Sequence, residues 1–210
     1  MTGVRLWNGD ICDLQVDAIV VPAMPTLFMT YGVAASVKQH GGHGIEFEAV
    51  ARGRQALGSA VATGGGMLAA RHVIHAVSSG SDRRASAAGI DGATRSALRV
   101  ADSLGAAEVA FPSLGSPVGG VPLSECARVM LLAIHETLPA TPSVRDVVLA
   151  LRGSRTYDVF REELDRQRMP RAVPVTPGSP AVAVPVEPAN TEDVPAAATE
   201  RRHPTAGAGR

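Results

Sequence analysis

The sequence predicts an α/β fold with helices on both faces of a central sheet. Across residues 1–168, short runs rich in Val and Ile alternate with longer segments that carry apolar residues at helical spacing. The runs are apolar at nearly every position, as expected for strands that helices cover on both sides. An alternation of strands and helices favours a sheet between two helical layers.

Six segments have the length and composition of buried strands. They are residues 4–7, 18–22, 59–63, 72–77, 108–112 and 147–151. The predicted helices are residues 32–39, 43–57, 87–104, 123–138 and 157–166. Ser124 is a candidate cap for the start of the fourth helix, and Gly105 stands where glycine commonly ends a helix, just after the third.

Proline marks a change of composition near residue 169. Eight of the 15 prolines follow Met169, whereas all the aromatic residues lie between Trp7 and Phe160. A segment of Pro, Ala, Val and Thr with scattered charge buries too little apolar surface to offset the entropy lost on ordering. We therefore expect a folded domain at residues 1–168 and a disordered tail at residues 169–210.

Composition and charge argue against several classes of protein. The chain has no apolar run of about 18 residues that could span a membrane, and no apolar stretch of a signal peptide. Cys12 and Cys126 lack the spacing of a disulfide framework or a metal site, so a cytoplasmic, reducing compartment is expected. The 20 basic and 20 acidic side chains cancel, which argues against a protein that wraps duplex nucleic acid.

Segments of small residues follow three of the predicted strands, at residues 21–35, 63–66 and 113–120. The first and the last lead into a helix, whose free N–H groups and positive dipole end suit a phosphate. Neither the dinucleotide nor the P-loop glycine pattern is present. Each segment alone is also consistent with an ordinary tight connection, so the phosphate site is a hypothesis that depends on the two together.

A series of segments rich in small and apolar residues follows a characteristic order along the chain. The first is Gly9-Asp10-Ile11 with the strand that follows it, and the others are residues 16–20, 32–37, 41–42, 58–64, 70–77, 110–115 and 118–122. Together these segments resemble the macro domain family, and the first resembles its opening. The resemblance covers about residues 4–166. It implies a three-layer α/β/α fold with a mixed central sheet, which binds ADP-ribose or a relative of it.

The resemblance also implies which residues contact the ligand. Asp10 would accept a hydrogen bond from the adenine amino group, and the backbone N–H of Ile11 would lie near the ring. Arg152 replaces an aromatic residue that often stacks on the adenine, and a guanidinium can stack as well. The residues expected around the diphosphate and ribose are Gly32, Val33, Ala34, Gly115, Ser116, Val118, Gly119 and Gly120. A simpler role for Asp10 is to cap a turn after the first strand.

The end of the site where chemistry would occur departs from the family pattern. Met24 replaces an Asn that orients the distal ribose and is needed for hydrolysis in many members, and Met offers no useful hydrogen bond there. Tyr31 replaces a loop glycine, and Pro117 removes one backbone donor. His72 and His75 flank a buried strand, so we expect structural roles for them.

Three functions stay open from the sequence. The leading interpretation is a module that binds ADP-ribose or a related adenine nucleotide diphosphate, with weak or no hydrolase activity. The alternatives are an active ADP-ribosyl hydrolase or ADP-ribose-1″-phosphate phosphatase, and a degenerate macro fold that serves as an interaction domain. No catalytic residue, cofactor or metal is expected. ADP-ribose or an ADP-ribosylated protein is the expected partner, and a membrane or nucleic acid is not.

Overall fold

Six strands form one mixed sheet at the centre of the fold. The structure, a computed structural model, describes residues 3–115 and 120–167. The strands are β1 (Gly3–Trp7), β2 (Ala18–Ala23), β3 (Ala60–Gly64), β4 (His72–Val77), β5 (Glu108–Phe111) and β6 (Asp146–Ala150). Their order across the sheet is β1-β6-β5-β2-β4-β3. β3 runs antiparallel to β4, and the other neighbouring strands pair in parallel.

Five α-helices cover the two faces of the sheet. They are α1 (Gly32–Gly41), α2 (Gly44–Ala51), α3 (Ala87–Ser103), α4 (Leu123–Thr137) and α5 (Ser154–Arg166), with short 3-10 helices at Ile11–Asp13 and Leu138–Ala140. Side chains alternate along each strand. Ala18 and Val20 of β2 therefore pack with residues of α3, α4 and α5, whereas Ile19 and Val21 pack with residues of α1. This arrangement confirms the predicted three-layer α/β/α fold.

Two predicted helix ends differ from the structure by three or more residues, and one predicted cap is absent. α2 ends at Ala51 rather than at residue 57, because the chain turns at Gly53, whose φ of 74° is unfavourable for a residue with a side chain. Ser124 does not cap α4, because it is the second residue of that helix and Pro122 is the N-cap. α5 begins at Ser154 rather than at residue 157. The prediction for Gly105 is confirmed, since its N–H bonds to the Asp102 carbonyl just after α3.

The residues from 168 onward, which include the expected tail at 169–210, lie outside the described part of the chain, so the tail stays an expectation. In residues 3–115 and 120–167, no helix is both long and apolar enough to cross a membrane.

Asp17 ties three strands together at the edge of the sheet where they begin. One carboxylate oxygen accepts the backbone N–H groups of Ala107 and Glu108, at 2.7 and 3.0 Å. The other accepts Arg71 Nη2 at 2.7 Å. Partial burial opposes ionisation, but these hydrogen bonds outweigh it and hold the pKa of Asp17 below its ordinary value. β2, β4 and β5 therefore begin at one level.

We predict that Asp17→Ala lowers the free energy of unfolding by about 3 kcal/mol, because two partly buried N–H groups and a guanidinium lose a charged acceptor. Asp13→Ala is the matched control, since Asp13 is exposed. Urea unfolding of both variants measures the difference. Equal decreases of the free energy of unfolding in the two variants would contradict the role given to Asp17.

His75 is a fully buried titratable group on β4. Its Nε2 lies 3.0 Å from Thr63 Oγ1, and its Nδ1 has no hydrogen-bond partner. Burial lowers the pKa of His75 to about 4, although the carboxylate of Glu48 on α2 acts in the opposite direction. The imidazole is therefore neutral in the folded state near pH 7, in agreement with the structural role expected for it.

We predict that stability falls on acidification through His75. The unfolded chain takes up a proton near pH 6.5, whereas the folded chain does so only near pH 4. The contribution is complete above pH 6.5 and is lost as the pH falls towards 4, on the order of 3 kcal/mol in total. Denaturant unfolding at several pH values between 7 and 4 measures this contribution. The free energy of unfolding should fall less steeply with pH for His75→Gln than for wild type. An equally steep pH dependence of the free energy of unfolding in His75→Gln and wild type would show that the assignment is wrong.

Candidate functional site

The parallel strands end together at one edge of the sheet, and the segments that follow them surround a common cleft. β1 leads into the 3-10 helix Ile11–Asp13, β2 leads through a loop into α1, and β6 leads into α5. Such an edge is where open α/β sheets commonly bind ligands. The geometry therefore places several of the expected ligand-binding residues near one another.

A first cavity, of about 280 Å³, lies between the 3-10 helix, the start of α1 and the end of β6. Asp10, Ile11, Gly32, Val33 and Arg152 line it, so five of the residues singled out in the sequence come together here. Sequence reasoning missed its other lining residues, which are Gly9, Ser36, Pro112 and Ala150. Apart from Ser36, these have no hydrogen-bonding side chain, and their chemistry therefore carries no signal of a site.

Asp10 has two roles that use different oxygens. Oδ1 accepts the backbone N–H of Cys12 at 3.0 Å, so Asp10 caps the 3-10 helix as the simpler interpretation expected. Oδ2 lies 3.8 Å from Arg152 Nη1, a loose pair because the Arg152 side chain is 85% exposed. The Cys12 hydrogen bond, with help from the charge of Arg152, lowers the pKa of Asp10. One oxygen of an ionised carboxylate thus stays available to a donor in the cavity.

The start of α1 is an uncapped helix end. Gly32 has a φ of 60°, a conformation that favours glycine, and Tyr31 at the N-cap provides no side-chain hydrogen bond. The first turn of α1 contains no acidic residue. The Ala34 side chain is buried in the core, so Ala34 has only its backbone N–H to offer. The free N–H groups and the positive dipole end of α1 can hold an anion.

The remaining expected residues belong to the loop between β5 and α4. Gly115 is buried against Ile90 and Ala85, and there is no room for a side chain at this position. Gly115 and Gly120 line neither the first cavity nor its neighbour described next. Ser116, Val118 and Gly119 lie outside the described residues. Their roles, like those of Gly115 and Gly120, stay predictions.

A second cavity, of about 420 Å³, adjoins the first and shares Val33, Pro112, Ala150 and Arg152 with it. Its other lining residues are Ser113, Val121, Leu123, Leu151, Arg155 and Thr156. Sequence reasoning missed Arg155, because the last helix was predicted to begin at residue 157. A start at Ser154 puts Arg155 in the first helical turn, three residues after Arg152.

The loop between β2 and α1 is anchored in the core. Leu27 and Met29 are 1% exposed, and the N–H of Leu27 bonds to the Met24 carbonyl at 2.9 Å. Glu46 accepts the N–H of Met29 at 2.6 Å and also pairs with Lys38 Nζ. Met24 lines neither cavity. Met24 therefore lies in a turn that the core holds in place, and its replacement of an expected Asn stays a prediction.

Neither described range holds a group of three or more His, Cys, Asp or Glu residues that could bind a metal ion. Cys12 and Cys126 are unpaired, and partial burial raises the pKa of both thiols to about 11. A thiol with such a pKa is a poor nucleophile near neutral pH.

Comparisons with known proteins agree with this architecture. The Macro domain family model matches residues 20–130. A macro domain-containing protein of Caldanaerobacter subterraneus is 33% identical over 177 residues, which cover 78% of this chain and 98% of that protein. The solved structure of the Trypanosoma brucei macrodomain in complex with ADP-ribose superposes with a TM-score of 0.70 at 24% identity, covering 76% of this chain and 68% of that one.

An uncharacterised protein of Mycobacterium tuberculosis is 34% identical over 160 residues, which cover 76% of this chain. The match covers 44% of that relative, so this chain spans less than half its length. The family model, the sequence relatives and the fold all lead to one assignment: the chain belongs to the macro domain family.

Proposed function

We propose that this protein binds ADP-ribose or a related adenine nucleotide diphosphate, free or attached to a protein, with weak or no hydrolase activity. The observation that carries the proposal is the first cavity, where the Asp10 carboxylate, the Arg152 guanidinium and the uncapped start of α1 meet. A macro domain of Trypanosoma brucei has been solved with ADP-ribose bound, which supports the choice of ligand.

The adenine would occupy the side of the cavity nearest Asp10. The unshared Oδ2 of Asp10 can accept a hydrogen bond from the exocyclic amine of adenine, whereas guanine would present a carbonyl oxygen to the same carboxylate. The Arg152 side chain is mostly exposed and lines the same cavity as Asp10, so its planar guanidinium can cover the base. This pairing favours adenine among the purines.

The diphosphate would bind through backbone groups rather than through lysine. The single lysine of the chain, Lys38, is 3.0 Å from a Glu46 oxygen and is already paired. The N–H groups of Gly32, Val33 and Ala34 lie at the start of α1, and Gly32 and Val33 line the same cavity. We propose that the loop with Gly115, Ser116, Val118, Gly119 and Gly120 contacts the diphosphate from the opposite side.

The chemistry of the distal ribose argues for binding without efficient hydrolysis. Hydrolysis requires a water or a side chain positioned at the reacting carbon. In the described ranges, the turn at Met24 supplies a thioether and an occupied carbonyl. The aromatic ring of Tyr31, at the N-cap of α1, is covered by the Arg83 guanidinium at 5.4 Å. We further propose that the protein acts in a cytoplasmic, reducing compartment.

We predict that Asp10→Asn weakens ADP-ribose binding at least tenfold while leaving the melting temperature unchanged. The Asn side-chain oxygen can still accept the Cys12 N–H, but its amide nitrogen would face the adenine amine donor to donor. Calorimetric titration of the two proteins measures the change. Asp13→Asn, three residues along and exposed, is the control that should bind as wild type does.

Two outcomes of this titration would count against the proposal. An undiminished affinity in Asp10→Asn would remove the adenine assignment. No heat from wild type at millimolar ADP-ribose would favour the interaction domain instead.

We predict that Met24→Asn does not create hydrolase activity. Met24 lines neither cavity, and the buried Leu27 and Met29 hold its turn in place. An amide at this position would therefore lack access to a ribose in the cleft. Release of ADP-ribose from an ADP-ribosylated protein, followed by mass spectrometry, should stay at the wild-type level. A tenfold rise in turnover would show that a single substitution separates this chain from an active hydrolase.

A further inference from the structure

The second cavity carries positive charge that the described structure pairs only loosely. Arg152 and Arg155 line it, and none of its lining residues is acidic. Arg155 makes no hydrogen bond or ion pair within residues 3–115 and 120–167. The pair between Arg152 and Asp10 is loose, at 3.8 Å. Two guanidinium groups therefore face a cavity without a fixed partner.

The start of α5 adds to this positive potential. The N-cap is Gly153, whose own N–H donates to Asn8 Oδ1 at 3.2 Å, and no side chain caps the helix. The first turn of α5 has no acidic residue and contains Arg155. A cation at the positive end of a helix dipole lowers stability unless an anion binds there. The placement of Arg155 is thus unfavourable for folding alone and favourable for anion binding.

Two hydroxyl-bearing residues, Ser113 and Thr156, also line this cavity. Ser113 Oγ is shielded from solvent and has no hydrogen-bond partner in the described structure. Thr156 lines the cavity near Arg155. The oxygens of a phosphate monoester can accept hydrogen bonds from guanidinium and hydroxyl groups at the same time. The donor set therefore fits a phosphate better than an uncharged group.

The residues that line both cavities indicate which part of the nucleotide would carry such a phosphate. With adenine beside Asp10 and the diphosphate at the start of α1, the adenosine ribose lies over Val33 and Pro112, which line both cavities. Its 5′ carbon would then be directed towards α1, which leaves the edge that carries the 2′ and 3′ hydroxyls for the side of the second cavity, where Arg155 is a lining residue.

We propose that the second cavity binds a phosphate monoester on the 2′ or 3′ hydroxyl of the adenosine ribose, so that the protein prefers ADP-ribose phosphorylated there. This inference rests on the proposed function, since it requires the base in the first cavity. It names a ligand class that the adenine and diphosphate contacts alone do not select.

Calorimetric titrations of the full chain with ADP-ribose and with ADP-ribose 2′-phosphate test the inference. Wild type should bind the phosphorylated ligand at least tenfold more tightly. Arg155→Gln should lose this preference while its affinity for ADP-ribose stays within twofold of wild type. Arg161→Gln removes the same charge from α5 at a residue paired with Asp158, and it should keep the preference. Adenosine 2′,5′- and 3′,5′-bisphosphate, each compared with AMP, identify the hydroxyl concerned.

The possible outcomes distinguish this inference from the proposed ADP-ribose binding on which it rests. Equal affinity of wild type for both ADP-ribose ligands, with no gain for either bisphosphate over AMP, overturns the inference and leaves ADP-ribose binding intact. Equal weakening of both ligands by Arg155→Gln also overturns it, because the second cavity would then hold the diphosphate. Absence of binding by every nucleotide overturns both proposals.

Discussion

The carboxylate of Asp17 is the interaction on which the position of the cleft depends. By accepting the N–H groups of Ala107 and Glu108 and the guanidinium of Arg71, it aligns the starts of β2, β4 and β5. Parallel strands that begin at one level end close to one edge, where their following segments can surround a ligand. A slip of this register would separate the walls of both cavities.

The proposed anion sites consist of backbone N–H groups and arginine side chains rather than lysine. The only lysine is paired with Glu46, and that pair fixes the loop between β2 and α1 instead of contacting a ligand. We propose that anion binding depends on the uncapped helix starts of α1 and α5 and on Arg152 and Arg155. A chain of zero net charge can thus carry a local positive site without attracting polyanions in general.

Much of the fold was accessible from the sequence because buried strands are apolar at nearly every position and helices are periodic. All six strands occur where predicted, whereas the ends of α2 and α5 were misplaced, since helix ends depend on the backbone conformation of one residue such as Gly53. Asp10 and Arg152 came together because both follow strand ends. Arg155 was missed because its significance depends on the first turn of α5, and the shared wall of the cavities depends on packing that no local pattern encodes.

The most direct test of the central claim is to follow the backbone amides of the ¹⁵N-labelled protein by NMR during a titration with ADP-ribose. The account predicts that the largest shifts occur at residues 10–12, 32–34 and 150–153, around the first cavity. Shifts concentrated on the far side of the sheet near β3, or none at saturating ligand, would contradict it.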